Sequence, residues 1–180
     1  TPLYSSAASD VYKRQGWMDH EPFGCMGVGL PLAIGATAAQ QETGSGRPVF
    51  LGTGDGAFGQ YLGELATTSL HHLPIFIMLA NDACWGASRN IELRDIGKPY
   101  GVELNQSRYD LVAEGLECHG ELASTPADVG PAFDRALQSV HSGKPALVNC
   151  LVDCRSGDLR SDPLLQTAPF NLEWIFSRPR

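Results

Sequence analysis

The chain contains 180 residues, of which 43% are apolar and 18% are charged, so its length and composition predict one globular domain with a sizeable core. Its formal net charge is −7 at pH 7 and its 13 Lys and Arg residues are scattered, which argues against a nucleic-acid-binding protein. No apolar run reaches the roughly 18 residues that a membrane span requires, which argues against a membrane protein.

The first part of the chain predicts a tail, a glycine-rich segment and a strand. Residues 1–15 have no hydrophobic periodicity, and we expect them to be a non-native or disordered tail outside the fold. The glycines of residues 24–35 are, on their own, typical of a helix that packs closely on a sheet. The apolar run at residues 49–51 predicts a strand that leads into a glycine turn, Gly54-Asp55-Gly56.

The rest of the chain alternates helical and strand patterns. Residues 61–72 predict a helix, and residues 74–80 are a continuous apolar run, as expected for a parallel strand covered on both faces. The later predictions are a helix at 83–90, a loop at 91–107, a short helix at 108–114, a strand at 116–119, a helix at 125–141 and a strand at 146–152. This alternation predicts an α/β fold, a three-layer doubly wound and mostly parallel sheet with helices on both faces. Residues 155–180 are a polar C-terminal extension.

Asp55 lies between two glycines, directly after the first predicted strand. A strand, a tight glycine turn and a helix N-terminus form an anion site, because unpaired backbone N–H groups face the turn. A bare carboxylate in such a turn would repel a phosphate, whereas a Mg²⁺ ion between the two would make the carboxylate favourable. The turn therefore predicts a metal ion as well as a phosphate.

A second carboxylate is predicted at the same edge of the sheet. Asn81-Asp82 follows the second predicted strand, and ligands of open parallel sheets collect at the carboxyl ends of the strands. If the two strands are neighbours, Asp55 and Asp82 lie close together. Oxygen side chains, a backbone carbonyl, water and phosphate oxygens would then complete the near-octahedral shell that Mg²⁺ prefers.

Two other classes of function remain open on these residues. Gly54-x-Gly56-x-x-Gly59 also fits the dinucleotide fingerprint, in which the glycines would hold the pyrophosphate of NAD and Asp82 a ribose. That interpretation predicts NAD binding without a metal. A non-catalytic assembly module, with the fold kept as a subunit interface, predicts no cofactor affinity at all.

Three motifs in one order resemble a known family. Gly54-Asp55-Gly56, 24 intervening residues and Asn81-Asp82 resemble the thiamine diphosphate motif. Residues 22–36 are similar to the segment that holds the aminopyrimidine ring of that cofactor, and Gly63-Glu64-Leu65-Ala66-Thr67 is similar to the helix after the loop. From about residue 16 to residue 153, the chain resembles the C-terminal cofactor-binding domain of acetolactate synthase-like decarboxylases and carboligases, and we expect that domain to span residues 16–154.

The resemblance implies a role for each matching residue. Asp55, Asp82 and the backbone carbonyl of Cys84 would bind Mg²⁺. The diphosphate would be surrounded by Gly54, Gly56, Ala57, Phe58, Trp85 and Gly86. The aminopyrimidine would be held by Gly24, Cys25 and Met26, with the soft Met26 side chain wedged under the cofactor so that its amine approaches the reactive thiazolium carbon.

The chain departs from the family pattern in two ways. The motif more often ends in Asn-Asn, whereas here Asp82 takes the second position. In addition, the Glu that activates the cofactor lies in a separate pyrimidine-binding domain of these enzymes, and no segment here matches it. We therefore expect a fragment without catalytic residues of its own, one that alone binds cofactor weakly and turns over little or nothing.

The resemblance also implies partners and a setting. Substrates would be a 2-oxo acid or an acyl-CoA type molecule, since 2-hydroxyacyl-CoA lyases and oxalyl-CoA decarboxylases share this module. The partner would be a pyrimidine-binding domain of the same or another subunit, in a homo-oligomer. Independently, five irregularly spaced cysteines without a CxxC motif predict a reducing cytoplasm.

Overall fold

The computed structural model describes residues 16, 18 and 24–154. Both predicted tails, 1–15 and 155–180, lie outside these residues. Within the described part, no helix is both long enough and apolar enough to cross a membrane.

Six α-helices and four strands make up the part of the chain that the structure describes, together with one short 3₁₀ turn. In chain order they are α1 (Gly29–Thr43), β1 (Val49–Gly54), α2 (Asp55–Gly59), the 3₁₀ turn (Leu62–Glu64), α3 (Leu65–Leu70), β2 (Ile75–Asn81), α4 (Gly86–Asp95), α5 (Tyr109–Gly115), β3 (His119–Ala123), α6 (Pro126–His141) and β4 (Ala146–Leu151).

The four described strands form one parallel sheet in the order β1-β2-β4-β3. Val49 lies opposite Ile75 and Gly54 lies opposite Ala80, so β1 and β2 end at nearly the same level. Because the strands are parallel, all their carboxyl ends lie at one edge of the sheet. This arrangement brings the segments that follow β1 and β2 side by side.

Helices cover both faces of the sheet and enclose two apolar clusters. On one face, α1, α2, α3 and α5 pack over a cluster that includes Leu65, Ile75, Ile77, Leu79 and Leu147. On the other face, α6 contributes Ala132, Ala136 and Val140, which pack against Phe76, Ala146 and Val148. Burying each large apolar side chain contributes about 1.5–3 kcal/mol. The observed three layers confirm the predicted α/β fold class.

Three predicted elements have wrong boundaries, each for a local backbone reason. The helix predicted at 61–72 starts later because Tyr61 has φ −128°, and its end moves back because His72 has φ +50°. The loop predicted at 91–107 begins only after α4 ends at Asp95, close to Gly97. The strand predicted at 116–119 begins at His119, because Glu117 takes a φ of +64° and turns the chain first.

Gly120 in β3 tests the packing of α5 on the sheet. A methyl group at this position would overlap the backbone carbonyl of Asp110, so we expect Gly120→Ala to lower the free energy of unfolding by roughly 1–3 kcal/mol. The matched control is Gly130→Ala on α6, where a methyl group meets nothing within 4 Å, and which should be neutral or stabilising by up to about 1 kcal/mol. Urea unfolding measures both, and equal midpoints would contradict the close contact between α5 and β3.

Candidate metal and cofactor site

Asp55 is the first residue of α2, and no loop separates that helix from β1. Gly54 is extended, with φ −90° and ψ 158°, and the chain turns into the helix at the next residue. The prediction of a glycine turn followed by a helix from residue 61 is therefore wrong in its boundary, because α2 occupies Asp55–Gly59. The first-turn N–H groups of a helix have no partner within the helix, so the backbone here still offers donors.

The sheet register brings Asp55 and Asp82 together, as the sequence predicts. Gly54 pairs with Ala80, so Asp55 and the Asn81-Asp82 pair leave neighbouring strands at the same edge. The side chains of Asp55 and Asp82 lie within hydrogen-bonding range of each other. Their oxygens are thus close enough to share one ion.

Asp55 occupies an electrostatically unfavourable position in the protein alone. The residue is only 1% exposed, and its buried Oδ2 has no hydrogen-bond partner among the described residues. Burial raises the pKa of Asp55 to about 6, with further contributions from the negative charge of Asp82 and from the hydrogen bond between the two carboxyl groups. The side chain therefore requires a proton or a cation.

A divalent cation fits this pair of carboxyl groups. The unpartnered Oδ2 of Asp55 is a free ligand atom, and carboxylate oxygens are preferred by Mg²⁺. Over the described residues there is no group of three or more His, Cys, Asp or Glu side chains that could hold a metal. The remaining ligands would therefore be neutral or external oxygens, such as a backbone carbonyl, water and phosphate, which suits a cation that bridges protein and diphosphate.

The backbone of Cys84 is held in place beside Asp82. The segment around it is fixed by two backbone hydrogen bonds, from Trp85 N to Val102 O at 2.8 Å and from Leu104 N to Ala83 O at 2.7 Å. Burial, together with the charge of Asp82, raises the pKa of the Cys84 thiol to about 12, so the thiol stays protonated. In the described part of the chain no hydrogen bond to its carbonyl is seen, which leaves that oxygen available.

Two glycines are required by close approaches within the site. A methyl group at Gly56 would lie 2.7 Å from Cε3 of Trp85, so the indole ring covers the backbone of α2. A methyl group at Gly86 would lie 2.5 Å from Oδ2 of Asp82, so a larger residue would displace that carboxylate from its present position. Both glycines therefore belong to the same cluster as the two carboxyl groups.

The remaining predicted site residues differ in how far their side chains are exposed. Gly24, Cys25 and Met26 are exposed, and the segment is anchored where Gly27, with φ +84°, packs against the ring of Tyr61 just after α2. The Phe58 ring is 3% exposed and contacts Tyr109 edge-on, with ring centroids 5.9 Å apart. Phe58 can therefore contribute only its backbone to a ligand, as can Ala57 beside it.

Residues that the sequence interpretation missed support the site from behind. Tyr109 is buried, and desolvation together with the charge of Asp55 raises the pKa of its hydroxyl. Asn81, which the sequence places beside a metal ligand, is completely buried and hydrogen-bonds with Asn149. One signal could have revealed Asn149: it is a polar residue inside the apolar run of β4.

The raised pKa of Asp55 predicts how the stability of the metal-free protein depends on pH. The folded protein retains a proton up to a pH of about 6, whereas the unfolded chain releases it near the ordinary pKa of 3.8. Between these values the folded state binds more protons, so the contribution of Asp55 to the free energy of unfolding falls as the pH rises and stays low above pH 6. Asp55→Asn should therefore gain stability relative to wild type between pH 4 and pH 7.

Urea unfolding of the metal-free protein in EDTA measures this difference across the pH range. Asp134→Asn on α6 is the control, because that carboxylate is exposed and should show no such gain. A stability difference between Asp55→Asn and wild type that stays constant from pH 4 to pH 7 would contradict the electrostatic account.

Known proteins share these features. The chain matches the family described as "Thiamine pyrophosphate enzyme, C-terminal TPP binding domain" over residues 2–150, a match that begins inside the segment assigned to a tail. A probable acetolactate synthase from Mycobacterium bovis is 37% identical over 151 residues, which cover 83% of this chain and 26% of that protein. The 2-hydroxyacyl-CoA lyase 2 of Caenorhabditis elegans is 35% identical over 165 residues, covering 87% of this chain and 25% of that protein.

A solved structure agrees with the sequence relatives. The thiamine diphosphate-dependent 4-hydroxybenzoylformate decarboxylase of Rhodococcus jostii RHA1 superposes with a TM-score of 0.64 at 26% identity, covering 83% of this chain and 28% of that chain. The chain thus spans about a quarter of the length of the curated relatives named above. On the family match, this chain belongs to the thiamine pyrophosphate enzymes, as their C-terminal TPP-binding domain.

Proposed function

We propose that this domain binds Mg²⁺ through Asp55, Asp82 and the backbone carbonyl of Cys84, and that the ion fixes the diphosphate of thiamine diphosphate. The observation that carries the proposal is the buried, unpartnered Oδ2 of Asp55, whose carboxyl group faces that of Asp82. A protein-only site would leave this charge uncompensated, and a cation shared with an anionic cofactor compensates it.

The proposed cofactor contacts follow the same edge of the sheet. Backbone groups and one aromatic ring surround the diphosphate, from Gly54, Gly56, Ala57, Phe58, Trp85 and Gly86. Support comes from the bare backbone of Gly56 beneath the Trp85 ring. Gly24, Cys25 and Met26 hold the aminopyrimidine, and the Met26 side chain, 47% exposed, is free to contact a ligand.

The reaction proposed for the whole protein is that of a 2-oxo acid decarboxylase or carboligase of the acetolactate synthase type. Bound thiamine diphosphate supplies the nucleophilic carbon that adds to the substrate carbonyl. The residues of this domain bind and orient the cofactor, and the activating Glu belongs to a pyrimidine-binding domain of the same or another subunit. An acyl-CoA substrate, as for a 2-hydroxyacyl-CoA lyase or an oxalyl-CoA decarboxylase, is the alternative within this cofactor class.

The proposed assembly is a homo-oligomer, because half of the cleft must come from a partner domain. The proposed compartment is the cytoplasm. The proposed limits of the cofactor domain are residues 16–154. All five cysteines are free thiols in the structure, which supports a reducing compartment.

The dinucleotide alternative has little structural support. It assigns Asp82 to a ribose, yet the Asp82 carboxyl group faces Asp55. It also needs the third glycine of the fingerprint for close packing of the helix on the strand, whereas Gly59 is exposed and a methyl group there would meet only the Tyr109 hydroxyl within 4 Å, at 3.6 Å. An assembly module without a ligand would leave the unpartnered oxygen of Asp55 without a role.

Thermal and urea unfolding with added ligands test the proposal. Thiamine diphosphate with Mg²⁺ should stabilise the full chain, by about 2.7 kcal/mol at a free concentration of about 100 times Kd, and EDTA should remove the effect. Asp55→Asn should abolish the stabilisation, while the exposed control Asp134→Asn should retain it. Stabilisation by NAD that persists in EDTA, or by thiamine diphosphate regardless of metal, would overturn the proposed function.

A further inference from the structure

A series of hydrogen-bonded polar side chains lies behind the segment that carries the proposed metal ligands. It joins β2, β4 and α5 through Asn81, Asn149 and Asp110, of which the first two are 0% exposed and the third 4%. Polar groups this deeply buried cost free energy unless each finds a hydrogen-bond partner, and here each does. None of the three is among the residues proposed to contact the metal or the cofactor.

This series of polar side chains begins at an ion pair on the surface. The guanidinium of Arg108, about half exposed, donates to both carboxylate oxygens of Asp110 through Nε, at 3.0 and 3.1 Å, and also through Nη2. Burial acts to raise the pKa of Asp110, but the hydrogen bonds from Arg108 and Asn149 outweigh it and hold that pKa below its ordinary value. Asp110 is therefore a carboxylate, which accepts hydrogen bonds and cannot donate them.

This carboxylate fixes the direction of both buried amides. Asn149 Nδ2 must face the acceptor Asp110 Oδ1, at 3.1 Å, so Asn149 Oδ1 points towards Asn81. Asn81 Nδ2 then donates to Asn149 Oδ1 at 3.0 Å, and both amide nitrogens also donate to the carbonyl of Ser107, at 3.0 and 3.2 Å. Reversing either amide would place two acceptors or two donors against each other.

The fixed amide of Asn81 reaches the metal-ligand turn. Its Oδ1, directed away from Asn149, accepts the backbone N–H of Ala83 at 3.3 Å. Ala83 has φ +54°, a left-handed conformation that costs a non-glycine residue free energy and needs support from its surroundings. The adjacent turn is completed when Asp82 Oδ1 accepts the N–H of Cys84 at 3.1 Å. The direction set by Arg108 and Asp110 is thus transmitted to the residues that present Asp82 and the Cys84 carbonyl.

We propose that Asn149, held by Asp110 and Arg108, is a positioning residue for the metal site: it orients Asn81, which fixes the turn that presents Asp82 and Cys84 to the ion. The inference rests on the proposed function, because it assumes that these groups bind a metal. It adds residues on β4 and α5 that do not touch the ion, and it assigns them an effect on metal affinity beyond their effect on stability.

The test is a double-mutant cycle on the two buried amides. Asn149→Ala removes both the acceptor that fixes Asn81 and the donor to Asp110. The Asn81 amide then loses its fixed orientation, and metal binding should weaken by about tenfold to a hundredfold. Asn81→Ala removes the group through which Asn149 acts, so adding Asn149→Ala to Asn81→Ala should cost little further metal affinity.

Two measurements on the full chain read out the effect without enzyme activity. Tb³⁺ binds oxygen ligands, and Trp85 lies against Gly56 beside Asp55, so tryptophan-sensitised Tb³⁺ emission, with Mg²⁺ as competitor, reports the affinity. Amide hydrogen exchange at Ala83 in the metal-free protein reports the turn directly. It should speed up in Asn149→Ala and in Asn81→Ala, and the double variant should exchange no faster than Asn81→Ala alone. Thr37→Val, which removes a buried hydroxyl of α1 that bonds to Ala33 O at 2.8 Å, is the control for destabilisation alone and should leave both readouts unchanged.

The outcomes separate the two proposals. If wild type binds Tb³⁺ and Asn149→Ala matches it in both affinity and Ala83 exchange, the positioning role is overturned while the metal site stands. Affinity losses of Asn149→Ala and Asn81→Ala that simply add in the double variant, or a loss that Thr37→Val reproduces at equal destabilisation, also overturn it. If the wild-type chain binds neither Tb³⁺ nor Mg²⁺ with thiamine diphosphate, both proposals fall.

Discussion

Two carboxyl groups that face each other at neighbouring strand ends are the constraint on which the site of this domain depends. Asp55 and Asp82 cannot separate freely, because the register of β1 and β2 fixes the points where the chain leaves each strand. One of the groups is buried, with an oxygen that has no partner in the described part of the chain. The pair is therefore unfavourable without a proton or a cation, and a metal ion bound there, as we propose, would relieve this repulsion.

The surroundings of the pair act mainly by leaving space. Gly56 has no side chain where the Trp85 ring lies, and Gly86 has none where the Asp82 carboxylate lies. The unpartnered oxygen of Asp55 and the free backbone carbonyl of Cys84 are oxygen ligands, which favour a hard cation over a softer one that would prefer sulfur.

Much of the fold followed from the sequence, because parallel strands buried on both faces appear as apolar runs. The run predicted as the second strand matches β2 to within one residue, and Asp82 lies beside Asp55 because β2 is also the neighbour of β1. The errors arose where one residue's backbone conformation decides the boundary, as at Tyr61 and Glu117, since hydrophobic periodicity does not report φ. The buried amides were missed for another reason: Asn149 meets Asn81 only after the sheet order places β4 beside β2, and residues 68 apart in sequence give no local signal.

The distribution of charge explains why neutral amides stand behind the carboxyl pair. The site already holds two acidic side chains where the family motif more often has one, because Asp82 replaces an Asn. A third carboxylate next to Asp82 would raise the cost of the metal-free state further, since like charges in a buried setting repel strongly. Asn81 and Asn149 instead orient their neighbours through hydrogen bonds without adding a charge. The next charged group beyond them, Asp110, is compensated by Arg108. The layer of amides thus separates the metal pair from the surface ion pair while still joining the two by hydrogen bonds.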